Sequence, residues 1–457
     1  MRLSSRTWVL ITGSAGLLLV YMLLLRDGGL NLTSRPHSLA FQQQRGPAGQ
    51  LQNNKNLPFL GPPNLALEQQ GMSADQVQTS DNWPIFSKNM FPGPIPKSPF
   101  KPNFTITWDF DTAAFLERPD VKGQPPKLMT WVVKARYMPP LPEPVRLRVC
   151  PEMPCRMTTN KQYQKDSAAL MWAGQIMREP APPPRSHPDQ VYVFHNHEPQ
   201  AEWIHSPSFR KPAWKSAFNW TMHYRFDSDI VDLYGKLVKR NPPVKNYTAI
   251  LAKKTKFAAW MVSHCDTHGR REKYIKLLRD FIPVDAYGGC AKNKCPRSSD
   301  DSCYKMINAD YKFYFAFENA FCKDYITEKF FRYLEADTVV VARGSNEYKN
   351  HAPKGIFVNT ADFKSAKDLA EHLLHLDIHP EEYIKILKAK DEYQPLYEDW
   401  PIRNNMGDIY YMHYHYESVS YCEMCKRLWD LDTYGKTVPD IAEWFDRENC
   451  YPPKDIR

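Results

Sequence analysis

The fold follows from the sequence Tyr311-Lys-Phe-Tyr-Phe-Ala-Phe-Glu-Asn319 and, after a short loop, Asp324-Tyr-Ile-Thr-Glu-Lys329. The run Lys312–Phe317 is aromatic and almost continuously apolar, which is typical of a strand covered on both faces in a parallel sheet. A helical spacing begins at Tyr325, and Val339–Val341 supply a second buried strand. The order strand, loop, helix, strand predicts an α/β fold.

The predicted helix has an apolar face for packing and a polar face for chemistry, and Asp324 is predicted to cap its N-terminus. A helix N-terminus beside a lysine, at the carboxyl edge of a parallel sheet, suits a diphosphate. The alternative is an ordinary amphipathic helix with a solvated Glu-Lys face. The apolar face comprises Ile326, Phe330 and Leu334, and the polar face comprises Tyr325, Glu328, Lys329 and Arg332.

The first 126 residues are predicted to lie outside the folded part. Residues 8–25, Trp8 to Leu25, carry no charge and are about long enough to cross a thin bilayer. Arg2 and Arg6 precede them, so residues 1–7 are expected to be cytoplasmic, and a signal anchor is favoured over a cleaved signal peptide. Residues 26–126 are rich in Gln, Asn, Pro, Gly and Ser, which predicts a disordered lumenal stem. Glycosylation sequons at Asn31, Asn103, Asn219 and Asn246 fit a lumenal side.

The remaining chain is long enough for two α/β domains, followed by a C-terminal extension. The first domain is predicted over residues 127–244, with a strand at Val191–Phe194. The second is predicted over residues 245–397, and residues 398–457 form the extension. Strands of the second domain are predicted at Ala249–Leu251 or Phe257–Val262, at Val284–Tyr287, at Phe313–Phe317 and at Val339–Val341, with a helical pattern over Lys273–Phe281.

The cysteine content and the net charge indicate which compartment and which kinds of partner to expect. The 10 cysteines agree with an oxidising lumen, and disulfides are favoured over a metal at Cys422-Glu-Met-Cys425 because no second CxxC exists. The net charge of +9 is spread along the chain without a basic block. This distribution suits a nucleotide-sugar and acidic membrane surroundings and argues against nucleic acid as a partner.

Three further segments identify a family resemblance. Phe218-Asn-Trp-Thr-Met-His-Tyr-Arg-Phe-Asp-Ser-Asp-Ile230, Ala259-Trp-Met-Val-Ser263 and the block from Asp362 to Ala370 occur in this order around the stretch at 311–329. Together they resemble the α1,3-fucosyltransferase family, glycosyltransferase family 10, over roughly residues 145 to 430. The resemblance implies a GT-B type fold, in which two facing Rossmann-like domains hold the active site between them.

The resemblance also implies the reaction and the acceptor. The family transfers fucose from GDP-fucose to N-acetylglucosamine, and the cysteine-rich spacing here is most similar to invertebrate enzymes that modify the inner N-glycan core. We therefore expect a type II Golgi membrane protein with a lumenal catalytic domain, acting on N-glycan glycoproteins. The alternatives are Lewis-type or LacdiNAc acceptors, or an inactive glycan-binding relative, and self-association as a homodimer through the stem is left open.

The catalytic base implied by the resemblance is Glu198, in His197-Glu198-Pro199 after the strand at Val191–Phe194. The serine that the family places after this glutamate is missing here. A rival alignment puts His205 at this position and leaves Glu202 nearby. Glu328 is the second predicted catalytic residue, and it is expected to hold the ribose or the positive charge that develops on fucose.

Residues implied to bind the donor come mainly from the second domain. Lys329 and Arg270 are expected to neutralise the diphosphate, while the neighbouring Arg271 is interpreted as a charge on the helix surface. Two departures from the family pattern, His264 and the segment Val341-Ala-Arg-Gly344, leave altered donor binding open. The remaining donor-site residues implied by the resemblance are Asn319, Tyr325, Tyr314, Tyr224 and Ser263.

No metal is expected to be required, although stimulation by Mn²⁺ is left open. Asp109-Phe-Asp111, Asp227-Ser-Asp229 and Asp430-Leu-Asp432 match the Asp-x-Asp pattern that other glycosyltransferases use to hold Mn²⁺. Such short matches are mostly chance. The family has similar C-terminal cysteines in disulfides, and we expect Cys422 and Cys425 to tie the C-terminal tail to Cys150 and Cys155.

Overall fold

Two parallel sheets and the segments that cover them make up the structure. The computed structural model describes residues 110–135, 140–147, 150, 152–200, 207–295, 302–397, 419–447 and 450–456. Within these ranges no helix is both long and apolar enough to cross a membrane. The predicted anchor, Trp8–Leu25, lies outside them.

The first sheet forms an N-terminal lobe. Its strands are β1 (Lys127–Val133), β2 (Val145–Arg146), β3 (Cys155–Thr158), β4 (Ala169–Ala173), β5 (Val191–Asn196), β6 (Trp220–His223) and β7 (Ile230–Val231). Their order is β2-β3-β1-β4-β5-β6-β7, and all neighbours are parallel except β2 and β3. The strand predicted at Val191–Phe194 is confirmed and extends to Asn196.

The second sheet forms the other lobe and is parallel throughout. Its strands are β9 (Lys256–Met261), β10 (Val284–Tyr287), β11 (Tyr311–Phe317), β12 (Val339–Arg343) and β13 (Val358–Asn359). Their order, β10-β9-β11-β12-β13, reverses between β9 and β11, where open α/β sheets bind ligands. The predicted strand at Val284–Tyr287 is confirmed, and of the two options before it, residues 257–262 are correct.

A small antiparallel pair joins the end of the first lobe to the end of the second. It pairs β8 (Gly235–Lys239) with β14 (Tyr393–Tyr397). Short 3₁₀ turns occur at Lys161–Gln164, Gly174–Ile176, Ser208–Arg210, Pro212–Trp214 and Thr360–Asp362. The helices are α1 (Thr112–Leu116), α2 (Tyr247–Ala252), α3 (Arg271–Leu278), α4 (Ser302–Asp310), α5 (Glu328–Leu334), α6 (Tyr348–His351), α7 (Ala366–Ile378), α8 (Pro380–Asp391), α9 (Ser420–Leu428), α10 (Leu431–Tyr434) and α11 (Ile441–Asp446).

The first lobe begins before the boundary predicted at residue 127. Residues 110–126, expected to be stem, contain α1 and pack Phe115 and Val121 into the core of the first lobe. The C-terminal extension is equally a part of the fold, because α9 and α11 complete the two faces of the first sheet. The rest of the predicted stem lies outside the described residues.

Five disulfides connect all ten cysteines. The expected tie between the C-terminal pair and the start of the first lobe is confirmed, since both of its bonds end on α9. The second lobe contains two short loops closed by disulfides and one long-range bond to the tail. The pairs are Cys150–Cys422, Cys155–Cys425, Cys265–Cys290, Cys295–Cys303 and Cys322–Cys450.

Candidate functional site

The two lobes meet along a polar junction at the carboxyl ends of their strands. The backbone N–H of Phe226, in the first lobe, donates to Asp324 Oδ2 in the second lobe at 3.2 Å. The rings of Tyr224 and Tyr325 lie with their centroids 5.0 Å apart across the same junction. The loop before α5 is therefore held against the first lobe, and Asp324 adopts a left-handed φ of 58° there.

Glu198 reaches this junction from the first lobe. It follows β5, and its backbone carbonyl accepts a hydrogen bond from the Asn196 side chain. Its Oε2 is 3.5 Å from the hydroxyl of Tyr325, which donates to it. Glu198 and Tyr325 thus meet across the lobes, as expected for a site between two domains. The rival base candidates, Glu202 and His205, lie outside the described residues.

Beneath the junction, a buried carboxylate organises the start of α5. Glu318, at the end of β11, is completely buried and accepts from the Thr327 N–H at 2.9 Å. The Thr327 hydroxyl lies 2.9 Å from Glu318 Oε2 and the same distance from Lys329 Nζ. Lys329 Nζ is 3.4 Å from Glu318 Oε2 and 3.2 Å from Glu328 Oε1. Glu318 and Thr327 therefore fix the position of the predicted diphosphate cation.

This arrangement corrects the predicted helix start. Thr327, not Asp324, caps the helix, and α5 begins at Glu328 instead of Tyr325. Tyr325 consequently lies in the loop and faces Glu198, which a residue on the first turn of a helix would not do. Asp324 uses its side chain on the other lobe instead.

The charges at the junction are strongly coupled. Burial would lower the pKa of Lys329, but the carboxylates of Glu328 and Glu318 outweigh it and raise that pKa, so the ammonium stays charged. Burial also raises the pKa of Glu318, although Lys329 opposes this effect. The Glu328 side chain is 48% exposed, and its pKa is lowered because Lys329 and hydrogen bonds overcome the desolvation that remains.

Three carboxylates act on the pKa of the Tyr325 phenol. Burial raises the pKa of Tyr325 well above its usual value, and Glu198, Glu318 and Glu328 each raise it further. The junction around this phenol therefore has a negative potential, with one fixed ammonium beside it. Such a field favours a positive charge that develops on a bound ligand.

The second part of the site lies where the order of the second sheet reverses. Asn319 follows β11, and its side-chain Oδ1 is buried with no hydrogen-bond partner among the described residues. Ser263 follows β9 and accepts from the Gly289 N–H at 3.3 Å. The Gly269 N–H donates to the backbone oxygen of Asn319 at 2.6 Å, so closely that a Cβ at Gly269 would lie 2.9 Å from this oxygen.

The two neighbouring arginines have different environments. Arg270 is exposed, adopts a left-handed φ of 47° and precedes the first turn of α3. Arg271 is only 2% exposed and donates to the backbone oxygens of Phe317 at 2.9 Å and His264 at 3.0 Å. The interpretation of Arg271 as a surface charge is wrong, because its guanidinium ties the β9 and β11 loops together. Arg270 is the arginine that is available to a ligand.

Tyr314 does not reach this edge of the sheet. It lies in the middle of β11 and stacks on Tyr333 of α5, with ring centroids 3.4 Å apart. Alternate β11 side chains point to opposite faces, so Tyr314 packs under the sheet while Asn319 lies beyond the strand end. In the structure Tyr314 is a core residue.

Arg343, which lies in a segment that departs from the family pattern, binds the C-terminal tail. Arg343 is completely buried and donates to both carboxylate oxygens of Asp455 at 2.7 Å. It also donates to the Gly269 oxygen at 2.8 Å. The tail is thereby joined to the loop that carries Arg270, and the Cys322–Cys450 bond holds its other end.

The Asp-x-Asp matches that are described have protein partners. Asp227 pairs with Arg225, and Asp229 accepts from both the N–H and the hydroxyl of Thr221. Asp430 caps α10. Asp109 of the third match lies outside the described residues.

Sequence reasoning missed Glu318 and Thr327 as members of the site. Glu318 directly follows the apolar strand Lys312–Phe317. An acid that is buried at the end of such a strand needs a hydrogen-bond partner, so the sequence contained an indication of both residues. Its partner Thr327 was not identified, because the helix was predicted to begin at Tyr325, before Thr327. The tail residue Asp455 carried no signal, because its role depends on a contact between distant parts of the chain.

Two family models match most of the described chain. Residues 124–235 match the model described as "Fucosyltransferase, N-terminal", and residues 251–444 match "Glycosyltransferase family 10 (fucosyltransferase) C-term". The chain is 31% identical over 323 residues to alpha-(1,3)-fucosyltransferase C of Drosophila melanogaster, covering 65% of this chain and 70% of that protein.

Other relatives and a solved structure are also similar to this chain. Glycoprotein 3-alpha-L-fucosyltransferase A of Drosophila melanogaster is 30% identical, over 65% of this chain and 55% of that protein. The FUT3 protein of Bos taurus, a 3-galactosyl-N-acetylglucosaminide 4-alpha-L-fucosyltransferase, is 32% identical over 67% of this chain and 80% of its own length. A crystal structure of an alpha1,3-fucosyltransferase with GDP matches 68% of this chain and 93% of that one at 17% identity, with a TM-score of 0.42. By its two matching domains and its similarity to the Drosophila enzymes, the chain belongs to glycosyltransferase family 10, the fucosyltransferases.

Proposed function

We propose that this protein transfers L-fucose from GDP-fucose to N-acetylglucosamine of N-glycans, in α1,3 linkage and with inversion at the anomeric carbon. The observation that carries the proposal is the meeting of Glu198, from one lobe, with the Tyr325 hydroxyl of the other at 3.5 Å. The charged Glu318-Lys329 pair lies at the same junction.

Glu198 acts as the base. Its carboxylate takes the proton of the acceptor hydroxyl as that oxygen bonds to the anomeric carbon of fucose, and the bond from this carbon to the diphosphate oxygen breaks. A base in one lobe and a cation in the other suit an attack on the face of the sugar opposite the leaving group. The bond between Tyr325 and Glu198 supports this role, because it orients the carboxylate toward the junction.

Lys329 and Arg270 neutralise the departing diphosphate. Lys329 keeps its proton because of Glu318 and Glu328, so it supplies a fixed positive charge without reorganisation. Arg270 supplies a second charge from an exposed position directly after Gly269, whose N–H donates to the backbone oxygen of Asn319. The carboxylates around Tyr325 stabilise the positive charge that builds up on the fucose ring in the transition state.

Asn319 recognises the nucleotide part of the donor. A buried amide oxygen without a partner among the described residues is costly until a ligand N–H or O–H reaches it. Its position after β11, beside the reversal in strand order, is where nucleotides bind in doubly wound sheets. Ser263, after β9, is the neighbouring polar group on the other side of this reversal.

The N-glycan core is the acceptor that we favour, and the Golgi lumen is the compartment. The similarity to glycoprotein 3-alpha-L-fucosyltransferase A supports the core acceptor, while the similarity to the FUT3 protein keeps Lewis-type acceptors as the alternative. Five disulfides support an oxidising lumen. The apolar run Trp8–Leu25 supports a type II signal anchor.

The test is product analysis with the full chain made in the secretory pathway of a eukaryotic host. It is incubated with GDP-fucose and a panel of core N-glycopeptides, N-acetyllactosamine and LacdiNAc, and the products are analysed for mass and linkage. We expect an α1,3-fucosylated core. Product on the antenna alone would shift the acceptor to the Lewis-type alternative, and GDP-fucose binding without any product would favour an inactive glycan-binding relative.

A further inference from the structure

Three side chains that the transfer reaction does not use converge inside the first lobe. His195 Nε2 lies 3.2 Å from Asp232 Oδ2, and His197 Nε2 lies 2.5 Å from the same oxygen. One ligating atom from each of the three residues falls within 4.8 Å of the others. The residues are 1%, 4% and 1% exposed respectively, so the cluster is closed to bulk water.

The sheet brings these residues together by register. His195 lies on β5 and His197 directly follows that strand, so both side chains point to the same face. Asp232 follows β7, and its N–H donates to the His223 carbonyl of the intervening β6 at 2.8 Å. Because β5, β6 and β7 are parallel neighbours, their carboxyl ends place two imidazoles and one carboxylate on one edge.

We propose that His195, His197 and Asp232 bind one divalent transition-metal ion, with Zn²⁺ as the first choice. Two imidazole nitrogens and one carboxylate oxygen form a common protein ligand set for Zn²⁺ and related ions. Zn–N and Zn–O bonds of about 2.0–2.1 Å place tetrahedral ligand atoms about 3.3 Å apart. The separation of 3.2 Å between His195 and Asp232 already matches this value. The closer contact between His197 and Asp232 opens by roughly 1 Å on binding.

The groups around the cluster orient its ligands. The Ser420 hydroxyl donates to Asp232 Oδ1 at 2.6 Å, which leaves Oδ2 for the ion. The Tyr234 hydroxyl donates to the His197 carbonyl at 2.6 Å and fixes the backbone there. The bond to Asp232 is the kind of hydrogen bond that orients a ligating carboxylate toward a metal.

The ion would act as a structural support beneath the catalytic junction. His197 directly precedes Glu198, so an ion bound to His197 restrains the turn from which the base extends. It would also join β5 and β7 to α9 through Ser420, and α9 is already tied to the lobe by two disulfides. The effect on Glu198 rests on the proposed function, whereas binding of the ion itself does not.

The test measures metal content, which does not depend on activity. The full chain is purified without chelator through a tag that lacks histidine, and its metals are quantified by mass spectrometry. We expect about one equivalent of Zn²⁺ or a related ion per chain. Replacement by Co²⁺ should give the visible absorption bands of a low-symmetry site with nitrogen and oxygen ligands.

Matched variants assign the ion to this cluster. Asp232→Asn and His197→Asn should bind less than about a tenth of an equivalent. His375→Asn is the control, because the exposed side chain of His375 on α7 lies beside Glu382 and far from this cluster in sequence. It should leave the metal content unchanged.

Two results would overturn the proposal. One is wild-type protein without a stoichiometric metal and with the same melting temperature in Zn²⁺ and in chelator, which would establish a purely hydrogen-bonded His-Asp-His cluster. The other is Asp232→Asn protein that keeps its ion. If that variant does not fold, the Co²⁺ spectrum and the chelator-dependent melting shift of the wild type decide the question. Metal binding without fucosyl transfer would support the site and contradict only the proposed function.

Discussion

Residues that are neighbours in the sequence have separate tasks in this molecule. Arg270 is exposed at the N-terminus of α3, whereas Arg271 is buried and bonds to two backbone oxygens. The sequence alone identified the pair but assigned Arg271 to the surface, because burial depends on which way α3 faces. Similarly, Tyr314 was predicted to bind the donor. It lies in the middle of β11, and its ring stacks on Tyr333 instead.

The arginine assignment predicts that two similar substitutions have different effects. Arg270→Gln should weaken binding of GDP by roughly 10- to 100-fold, the loss of about 1.5–3 kcal/mol for a charged hydrogen bond, with an unchanged melting temperature. Arg271→Gln should instead lower the free energy of unfolding by about 2 kcal/mol. Calorimetric titration with GDP and thermal unfolding measure both quantities. A normal GDP affinity for folded Arg270→Gln would remove Arg270 from the site.

Lys329 is predicted to contribute charge to binding of the donor. Lys329→Met should weaken GDP binding by about 10-fold or more, since an ammonium held by Glu318 and Glu328 no longer faces the diphosphate. Lys349→Met, at an exposed position of α6, is the control and should bind GDP normally. Equal affinities for the two variants would contradict the assignment.

At the level of elements, the main difference from the sequence prediction concerns the start of α5. Asp324 is a good helix cap by residue type, but Thr327 caps the helix because the buried Glu318 holds its N–H and hydroxyl. Local preference was overridden by a buried charge that needed hydrogen bonds. The strands were predicted more accurately, since a continuous apolar run such as Val339–Val341 identifies a buried parallel strand without reference to other elements.

The ion pair between Arg343 and Asp455 of the C-terminal tail is predicted to stabilise the fold. Asp455→Asn should lower the free energy of unfolding by about 2 kcal/mol, because it leaves the buried Arg343 guanidinium without its counter-charge. The loss is smaller than for a fully enclosed pair, since Asp455 is 28% exposed. Denaturant unfolding measures it, with Asp432→Asn as the exposed control. A free energy of unfolding equal to that of the control would show that Arg343 does not depend on the tail.

On the scale of the whole molecule, the chain returns to both lobes after the second sheet. Residues 419–447 complete the first lobe, and residues 450–456 bind the second through Cys322–Cys450 and Arg343. The tie between the C-terminal cysteines and the Cys150–Cys155 region was predicted, whereas the other three disulfides and the boundary of the stem were not. Phe115 and Val121 are too few apolar residues to stand out in a polar segment, although both are buried.

A buried lysine between α8 and β12 predicts how stability depends on pH. Lys390 is 2% exposed and donates to the Thr338 carbonyl at 2.9 Å, and burial lowers its pKa to about 7, with Asp391 opposing the shift. Between pH 7 and pH 10 the unfolded chain keeps this proton while the folded chain releases it. The folded state therefore gains stability as the pH rises, by up to about 1.4 kcal/mol per pH unit.

Comparison with Lys390→Met isolates this contribution. The free energy of unfolding of the wild type should rise relative to that of the variant from pH 7 to pH 10, as measured by denaturant titration at each pH. Lys388→Met changes an exposed lysine on the same helix and should follow the wild type at every pH. A constant difference between the wild type and Lys390→Met would contradict the lowered pKa.

The most direct test of the central claim is the transfer rate of Glu198→Gln, measured beside Glu202→Gln with GDP-fucose and a core N-glycopeptide. We expect Glu198→Gln to bind GDP-fucose normally but to lose about 10²- to 10⁴-fold in kcat, because the amide cannot take the acceptor proton. Glu202→Gln should stay close to the wild type. A nearly normal rate for Glu198→Gln, with the loss appearing in Glu202→Gln instead, would show that the base lies elsewhere and that the junction of Glu198 with Tyr325 is not the reacting centre.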